Sequence, residues 1–536
     1  MEAVELRTLD GPNLFMLGPA IKIEIAANPE AVPSELARRF LRDDGAGSIG
    51  GPEVIAGAVR DVLLVLHARL NLAPGEIVVR MLEDPGHAAV AFGWSRRLVS
   101  RAIGHLAWRI VSDSTVDIDL ELSAIEDVLA QPVDPDDLPE VYPESERRIP
   151  VIGVTGTNGK TTTTRLIASI LRRSGYKVGW TSSAGVTIDE ELVLSGDYTG
   201  PSGARRVFDE PGIDIAVLET ARGGILLRGL GYEHSDVSVM TNISADHMGM
   251  HGVHSLDVLT EVKAVVARVT VAAGHVVLNA DDARVLGVRN VISARPFLFS
   301  RSDDNPDVDA HVGEGGWALR ASGETITWYH DGEAERLARL EDVPITFGGR
   351  AGHMVENALA AASACLAVGC SAEQVRDGLK AFRNRPEENR GRLNVFGHNG
   401  GTVVIDFAHN EAGLEHLLQF ARAFGGNEAR LTVVIGTAGD REDNAIEGIG
   451  RIAAEHADAV IVKDSEKYLR GREAGEMPGI LRRVAGDRVV MECPNERTAV
   501  YAGLDLLGKG DVLAVMCIED SDEILAYLEK HASPLS

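Results

Sequence analysis

Short apolar runs alternate with helix-like segments along the central part of the chain. Apolar runs at residues 151–154, 215–218, 237–240 and 276–278 alternate with stretches that have a helical repeat of apolar positions, such as residues 161–173 and 255–269. Consecutive parallel strands need a long crossover connection, and an amphipathic helix is the usual one. The pattern therefore predicts a doubly wound, mainly parallel α/β sheet for this region.

The same alternation begins again near residue 391 and predicts a second, smaller α/β unit of Rossmann-like type. Its apolar runs lie at residues 403–405, 431–435, 459–462 and 512–516. Between the two units, residues 292–345 contain Gly-rich turns and the alternating stretch TITWYH. This part of the chain is predicted to be a strand-rich insertion.

An acidic, Pro-rich stretch at residues 131–148 interrupts the apolar periodicity and predicts an interdomain linker. We therefore expect three domains: a small α+β N-terminal domain at residues 1–147, a central domain at 148–390 and a C-terminal domain at 391–536. A chain of 536 residues is too long for one hydrophobic core, which agrees with that division.

The composition is that of an acidic globular protein, with 45% hydrophobic residues, 25% charged residues and a net charge of −27. That charge opposes broad contact with a nucleic-acid backbone, so nucleic acid is not an expected partner. No apolar run reaches the roughly 18 residues of a membrane span, and the four cysteines form no C-x-x-C pair. We expect a soluble, cytoplasmic protein with reduced thiols and no membrane partner, and the sequence leaves a homo-oligomer open.

A glycine-rich loop follows the first strand of the central region. Residues 153–164 read GVTGTNGKTTTT between a strand and an amphipathic helix, which is the setting of a phosphate-binding loop. Two glycines would let the backbone approach the phosphates, the lysine would reach the terminal phosphates, and the next threonine would bind magnesium. The strict G-x-x-x-x-G-K-[ST] spacing is not met, because Val154 occupies the first glycine position, and a Gly-rich turn with an exposed lysine is the alternative. The predicted nucleotide loop comprises Gly156, Thr157, Asn158, Gly159, Lys160, Thr161 and Thr162.

The segment TGTNGKTTT resembles the signature loop of the Mur ligases, a family that includes folylpolyglutamate synthase and the C-terminal part of cyanophycin synthetase. The chain resembles that Mur-like part in particular. The resemblance implies an ATP-dependent ligase, with ATP and Mg²⁺ as cofactors, that activates a carboxylate as an acyl-phosphate and releases ADP. The activated carboxylate, on a small molecule or a peptide, would then form an amide bond with an amine.

Three further residues are candidates for metal binding. Glu219 ends a buried strand in IDIAVLETARGG, and His247 lies in TNISADHMGMHG, which is similar to the T-N-x-x-x-D-H-x-x-x-H-G box of Mur ligases. Lys263 projects from the apolar stripe of a helix, where a charged lysine is unfavourable unless it is paired, snorkels outward or loses its charge. The resemblance implies that Thr161 and a carbamylated Lys263 help to hold magnesium, that Glu219 binds it or lies beside a ligand, and that His247 binds a second magnesium ion. The alternatives are a solvated turn glutamate, a surface histidine and a snorkelling lysine.

The resemblance also assigns residues to the far side of the nucleotide. The segment GRAGHMVENALAAA, which contains Asn357, is similar to the stretch that lies against the adenine in Mur ligases. Arg392 matches an arginine that reaches the phosphates. In VVIDFAHNEAG, Asp406 would lie near the ribose and His409 near the phosphates once the C-terminal domain closes. Residues 436–441 and 464–466 fall where the family binds the incoming amine.

The first domain contains no phosphate loop and weakly resembles the N-terminal domain of cyanophycin synthetase. In that enzyme an ATP-grasp domain follows, whereas here the linker leads directly into the phosphate loop. We therefore expect the first domain to dock an acceptor that is made elsewhere, and Lys160, Glu219, His247 and Lys263 to be the catalytic residues. Two alternatives remain open: a poly-γ-glutamate-type ligase, and a catalytically silent nucleotide-binding subunit.

Overall fold

Three β-sheets follow one another along the chain. The computed structural model describes residues 1–41, 50–426 and 428–535, and within them the sheets have four, eleven and seven strands. The predicted α/β fold with a large, mainly parallel central sheet is confirmed. No helix in the part of the chain that the structure describes is both long and apolar enough to cross a bilayer.

The first sheet is antiparallel and packs against two long helices. Its elements are β1 (Glu2–Leu9), β2 (Ala20–Ala26), α1 (Glu35–Arg38), α2 (Pro52–Arg69), β3 (Ile77–Met81), β4 (His87–Gly93), α3 (Arg97–Ser112) and α4 (Ile118–Leu129). The strand order is β1-β2-β4-β3. Because apolar residues alternate along β2, Ile21, Ile23 and Ile25 share one face and are completely buried in the same core as α2 and α3.

The second sheet is parallel in its centre and antiparallel at both edges. Its strand order is β15-β14-β13-β12-β11-β10-β5-β9-β6-β7-β8, and the seven neighbouring strands from β13 to β6 are parallel. Helices α5 and α11 pack together against this sheet. The elements are β5 (Val151–Thr155), α5 (Lys160–Arg173), β6 (Val178–Ser182), β7 (Gly185–Ile188), β8 (Glu191–Ser195), α6 (Pro201–Phe208), β9 (Ile215–Glu219), α7 (Arg222–Leu227), β10 (Ser235–Met240), α8 (Leu256–Arg268), β11 (Thr270–Asn279), α9 (Ala283–Gly287), β12 (Arg295–Ser300), α10 (Pro306–Gly313), β13 (Trp317–Ser322), β14 (Thr325–His330), β15 (Glu333–Arg339), α11 (Gly352–Ala367), α12 (Ala372–Ala381) and α13 (Pro386–Asn389).

Residues 292–345 are rich in strands, as predicted, but they do not form a separate insertion. Strand β12 pairs in parallel with β11, and β13, β14 and β15 continue the same sheet outward. Alternation of apolar and polar positions marks a half-buried strand and does not indicate which sheet the strand joins. The prediction of an insertion was therefore wrong, although the strands themselves were recognised.

The third sheet is parallel except at one edge. Its strand order is β20-β19-β18-β21-β17-β16-β22, with antiparallel pairing only for β17-β16 and β16-β22. The parallel strands β18, β19 and β21 are completely buried, as expected for strands covered by helices on both faces, whereas the edge strand β20 is largely exposed. The elements are β16 (Asn394–His398), β17 (Gly401–Asp406), α14 (Glu411–Gly425), β18 (Leu431–Ile435), α15 (Asp443–His456), β19 (Ala459–Lys463), α16 (Glu476–Ala485), β20 (Val489–Cys493), α17 (Glu496–Leu506), β21 (Val512–Met516), α18 (Ser521–His531) and β22 (Ser533–Pro534).

The predicted linker at residues 131–148 is packed against the second sheet and its helices. Tyr142 stacks on Phe208 with ring centroids 4.2 Å apart, and Arg147 forms an ion pair with Asp236. The buried Asp10 of the first domain accepts a hydrogen bond of 3.1 Å from Arg228, which follows α7. These contacts hold the first sheet beside the loops that carry the candidate site.

Candidate active site

Three chain segments meet at one edge of the central sheet. Strand β5 lies between β9 and β10, and the three strands are parallel. Their carboxyl ends therefore reach the same edge, which is where open α/β sheets bind their ligands. Gly156 follows β5, Glu219 ends β9, and Thr241 follows β10.

The glycine-rich loop is held in shape by the segment after β10. Asn242 accepts hydrogen bonds from the backbone N–H of Thr157, at 2.8 Å through its carbonyl oxygen, and from that of Asn158, at 2.9 Å through Oδ1. Thr241 Oγ1 donates to the carbonyl of Asn158 at 2.6 Å. Gly159 takes φ +84° as the residue that caps α5, so the helix begins directly after the loop. A helix N-terminus that follows such a loop favours bound phosphate.

Gly156 has neither the conformation nor the space for a side chain. Its φ is +146°, and an added Cβ would lie 1.9 Å from Thr241 Oγ1. We expect Gly156→Ala to lower the free energy of unfolding, by about 1–3 kcal/mol from backbone strain alone, and to weaken nucleotide binding. Denaturant unfolding and ADP titration measure the two effects.

Gly175, at the end of α5, is the matched control for that substitution. Its φ of +97° is also unfavourable for a side chain, but no atom lies within 4 Å of the added Cβ. Gly175→Ala should lower stability while leaving ADP binding unchanged. Equal losses of ADP affinity in the two variants would contradict the assignment of residues 156–162 as the phosphate loop.

Glu219 is buried beside the start of α5 and keeps one oxygen without a partner. Its Oε1 accepts a hydrogen bond of 3.1 Å from Thr161 Oγ1, and it is 3% exposed. Its Oε2 has no hydrogen-bond partner among the described residues. Burial raises the pKa of Glu219, and the charges of Lys160 and Arg392 oppose that rise. A buried carboxylate oxygen with no donor, next to a threonine hydroxyl, fits the oxygen ligand set that Mg²⁺ prefers.

Lys263 is buried behind the phosphate loop. It lies in α8, which Ser255 caps, and its Nζ donates a hydrogen bond of 2.6 Å to the carbonyl of Gly156. The side chain is 4% exposed, so it does not snorkel to solvent. Burial, reinforced by the charge of Lys160, holds the pKa of Lys263 well below its usual value. The environment therefore favours a neutral amine at this position.

His247 and the residue before it face the C-terminal domain. His247 Nδ1 lies 3.4 Å from an oxygen of Asp440. Asp246 accepts a hydrogen bond of 2.7 Å from Arg441, and His409 Nε2 lies 3.5 Å from its other oxygen. Burial would raise the pKa of Asp246, but His409 and Arg441 hold that pKa well below its usual value. His409 of the C-terminal domain therefore contacts Asp246, in the segment TNISADHMGMHG that also contains His247.

The other wall of the site comes from α11 and the start of the third sheet. Asn357 Oδ1 accepts a hydrogen bond of 3.4 Å from Thr163, and its Nδ2 donates to Met354 Sδ at 3.6 Å. The rings of His353 and His416 stack in parallel with centroids 5.2 Å apart. Burial lowers the pKa of His353 to about 3, so that ring is neutral at physiological pH. A flat, neutral aromatic pair beside Asn357 suits the edge of a nucleobase.

Arg392 joins the two walls. Its guanidinium lies over the ring of Phe407, with Cζ 4.3 Å from the ring centroid, and its Nη2 lies 3.5 Å from Thr161 Oγ1. Asp406 accepts a hydrogen bond of 2.8 Å from the backbone N–H of Leu393.

One open cleft contains nearly the whole predicted site. Its volume is about 1240 Å³, which includes the solvent in its mouth. It is lined by all the predicted site residues except Gly156: Thr157, Asn158, Gly159, Lys160, Thr161, Thr162, Glu219, His247, Lys263, Asn357, Arg392, Asp406 and His409.

Sequence reasoning did not single out three residues that the fold brings to the site: Arg222 and His416, which line the cleft, and Asn410, which contacts the phosphate loop. Arg222 follows Glu219 by three positions, and its buried Nη1 has no hydrogen-bond partner among the described residues. The side-chain amides of Asn410 and Asn158 exchange two hydrogen bonds, of 3.3 and 3.2 Å, between the C-terminal domain and the phosphate loop. Arg222 and Asn410 lie inside segments that the motifs identified, whereas no spacing in the sequence indicates His416.

The two segments that were expected near the amine differ in position. Arg441, from residues 436–441, lines a second cavity at the junction of the central and C-terminal regions together with Asp246, His247 and Glu411. Asp464, from residues 464–466, is buried and accepts a hydrogen bond of 2.7 Å from Gly475. The first segment therefore borders this second cavity, and the second segment stabilises a loop of the third sheet.

Residues 154–365 match the Mur ligase middle domain, and residues 391–517 match the domain described as Mur ligase, glutamate ligase domain. Over these residues the chain belongs to the Mur ligase family, and the resemblance that the loop predicted is confirmed. Mur ligases use ATP. The two matched segments contain every candidate residue that surrounds the cleft.

The curated relatives include cyanophycin synthetase of Trichormus variabilis, which is 38% identical over 377 residues covering 70% of this chain. The chain spans 42% of that protein, so it matches less than half of the relative's length. A UDP-N-acetylmuramoyl-L-alanyl-D-glutamate–2,6-diaminopimelate ligase of Chlorobaculum tepidum is 27% identical over 90% of this chain and 89% of its own.

Among solved structures, a bifunctional folylpolyglutamate synthase/dihydrofolate synthase with Mn, AMPPNP and L-glutamate bound is similar in fold. Its TM-score is 0.54 at 21% identity, covering 71% of this chain and 89% of that one. At this identity the similarity concerns the fold.

Proposed function

We propose that this protein is an ATP-dependent ligase that joins a carboxylate to an amine through an acyl-phosphate and releases ADP. The observation that carries the proposal is the convergence of a phosphate loop, a buried carboxylate with an unpartnered oxygen and a buried lysine at one edge of the central sheet. A nucleotide-binding module without chemistry needs the loop but has no use for the other two groups. Membership of the Mur ligase family supports the same activity.

ATP would lie across the cleft with its phosphates on the loop at residues 156–162. The backbone N–H groups at the start of α5 and the Lys160 ammonium would hold the terminal phosphates. Arg392 would approach the same phosphates from the C-terminal side, since its guanidinium already lies beside Thr161. The base would lie against Asn357 and the ring pair of His353 and His416.

Thr161, Glu219, His247 and a carbamylated Lys263 would hold Mg²⁺. The neutral amine of Lys263, favoured by its lowered pKa, can attack the carbon of dissolved carbon dioxide and form an N–C bond. The nitrogen then releases a proton to solvent, and the side chain becomes a carbamate anion. When bound, the metal ion would neutralise the phosphate oxygens and make the γ-phosphorus more electrophilic. The Glu219 oxygen that lacks a donor supports this assignment.

The acceptor carboxylate would be held by Arg222. A substrate carboxylate would satisfy the buried, unpartnered Nη1 of that side chain. From there its oxygen would attack the γ-phosphorus, forming an O–P bond while the bond to the β-phosphate oxygen breaks and ADP leaves. The amine nitrogen would then attack the carbonyl carbon, inorganic phosphate would leave with the C–O electron pair, and the nitrogen would lose a proton.

The first domain would dock the remainder of the acceptor. A cavity between its sheet and the central region is lined by Arg7, Lys22 and Glu24 on one side and by Ile225 and His251 on the other. Oppositely charged side chains over an apolar base suit a peptide that carries both a carboxylate and an amino group. Burial and then the charge of Arg222 lower the pKa of His251, which places Arg222 near the end of this cavity. That proximity supports a path for the acceptor from the first domain to Arg222.

A test of this activity uses acidic peptides as acceptors and hydroxylamine as a general amine, with the nucleotide products separated by chromatography. We expect ADP release that depends on the peptide, together with hydroxamate formation. With heavy oxygen in the acceptor carboxylate, one labelled oxygen should appear in inorganic phosphate and none in the nucleotide. This outcome is expected because a carboxylate is a poor acyl donor until it is activated, and the loop and the metal ligands would surround the terminal phosphates.

Two outcomes would overturn this proposal. Label in AMP would mean adenylation at the α-phosphate. Amide formation with unlabelled phosphate would mean that the carboxylate never bonded to phosphorus.

A further inference from the structure

A group of metal-binding side chains lies at the junction of the first domain and the central region, apart from the nucleotide cleft. Glu24 lies in β2, Asp84 in the turn between β3 and β4, and His87 at the start of β4. One ligand atom from each of these three residues lies within 4.8 Å of the others. Strands β2 and β4 are paired, which brings Glu24 Oε1 to 3.1 Å from His87 Nδ1.

A fourth donor comes from the central region. His254 lies in the loop before α8, and its Nε2 is 2.7 Å from Asp84 Oδ1. The position of this histidine is fixed, because Glu83 accepts hydrogen bonds from the backbone N–H of His254 at 2.7 Å and of Ser255 at 2.9 Å. The turn between β3 and β4 is thereby docked on the N-terminus of the helix that carries Lys263.

We propose that Glu24, Asp84, His87 and His254 bind one divalent transition-metal ion, with Zn²⁺ the best match, and that this ion fixes the first domain to the loop before α8. Two imidazoles and two carboxylates form a mixed nitrogen and oxygen donor set, which suits Zn²⁺ or Co²⁺ rather than Mg²⁺. Ligands about 2.0–2.2 Å from a tetrahedral metal lie roughly 3.3–3.6 Å from each other. Glu24 Oε1 and His87 Nδ1 are 3.1 Å apart, and the ligand atoms of Glu24, Asp84 and His87 lie within 4.8 Å of one another, close to that range. His254 lies outside this set of three and would complete the site from its place 2.7 Å from Asp84.

The surroundings agree with a site that an ion can enter. The four side chains are between 15% and 38% exposed, so the group is accessible but sheltered between two parts of the chain. Lys22 forms an ion pair with Glu24 through Oε2 and leaves Oε1 facing His87. Glu24 also lines the cavity proposed for the acceptor, so a bound ion would fix one wall of that cavity.

The test uses the full-length protein, stripped of metal with a chelator and then titrated with Co²⁺ in the presence of excess Mg²⁺ and ADP. Excess Mg²⁺ and ADP fill the nucleotide site, which includes His247, so that added Co²⁺ reports on a site outside the cleft. We expect one Co²⁺ per chain with the visible absorption of four-coordinate cobalt, its displacement by Zn²⁺, and a higher thermal midpoint when Zn²⁺ is added to the stripped protein.

The decisive variant is His254→Gln, because glutamine can keep the hydrogen bond to Asp84 while the metal-binding imidazole is lost. We expect His254→Gln and His87→Ala each to weaken Co²⁺ binding at least about tenfold. The control His234→Ala removes a histidine that is 47% exposed and lies beside Glu144, and it should bind Co²⁺ like the unchanged protein.

Two results would overturn the proposal. The unchanged protein could bind no Co²⁺ and show no thermal shift with Zn²⁺, in which case the four residues form only hydrogen-bonded pairs. Alternatively, His254→Gln and His87→Ala could bind Co²⁺ as tightly as the unchanged protein, which would place the metal elsewhere. Neither result bears on the ligase activity, which is measured by ADP and hydroxamate formation.

Discussion

Lys160→Ala is expected to abolish ADP formation while leaving the fold intact. Lys160 is the first residue of α5, and its Nζ donates a hydrogen bond of 2.8 Å to the carbonyl of Thr157 within the loop. In the reaction its charge would stabilise the phosphoryl oxygens as they become more negative. Loss of one such electrostatic contact typically reduces kcat by a factor on the order of 100 to 1000. A coupled assay for ADP measures that loss.

Lys177→Ala is the matched control for this substitution. Lys177 is exposed, lies in the short connection between α5 and β6, and takes no part in the cleft. Both variants should unfold near the temperature of the unchanged protein, because a partly exposed lysine contributes little to packing. If Lys160→Ala turns over within about threefold of Lys177→Ala, the loop does not activate the phosphate.

The positions of the strand-end residues could be predicted from the sequence because they depend on local structure. Gly156 and Glu219 each lie at the end of an apolar run, and parallel strands necessarily bring those ends to one edge. Lys263 could be recognised because it is a lysine on the apolar stripe of α8. The structure buries its side chain, so it does not snorkel to solvent. These predictions needed only the identity of a strand or helix and the direction of the chain.

Features that depend on packing between distant segments could not be predicted in the same way. His416 reaches the cleft because α14 packs beside α11, which no local pattern records. The stretch at residues 292–345 was recognised as strands, but the sheet that those strands extend is decided by hydrogen bonding between chain segments. The linker showed prolines and charges but not the stacking of Tyr142 on Phe208 that fixes it.

The predicted roles of His409 and Asp406 require the C-terminal domain to close over a bound nucleotide. Both residues line the cleft, and His409 lies beside Asp246 rather than in contact with the phosphate loop. The Asn158 and Asn410 amides already join the loop to the C-terminal region. The placement of Asp406 at the ribose and of His409 at the phosphates therefore stays a prediction.

Lys263→Ala is expected to lose most activity, at least about 100-fold, and to recover part of it when formate or acetate is added. The unchanged lysine would serve as an anion after reaction with carbon dioxide, and a small carboxylate can enter the space that alanine leaves. Removal of the amine also removes the hydrogen bond of 2.6 Å to Gly156. A loss caused only by that structural change would not respond to added carboxylate.

Lys263→Met separates the chemical role of Lys263 from its structural role. Methionine fills the same volume without the amine and leaves no room for an added carboxylate, so this variant should be inactive with and without formate. A second readout does not depend on turnover: protein equilibrated with carbon-13 bicarbonate should show a carbamate carbon signal that is absent from Lys263→Met. Because a carbamate forms only from the neutral amine, the depressed pKa of Lys263, which results from its burial, increases the fraction of the side chain that can react. Normal turnover by Lys263→Ala, or the same carbamate signal in both proteins, would show that Lys263 is not the modified metal ligand.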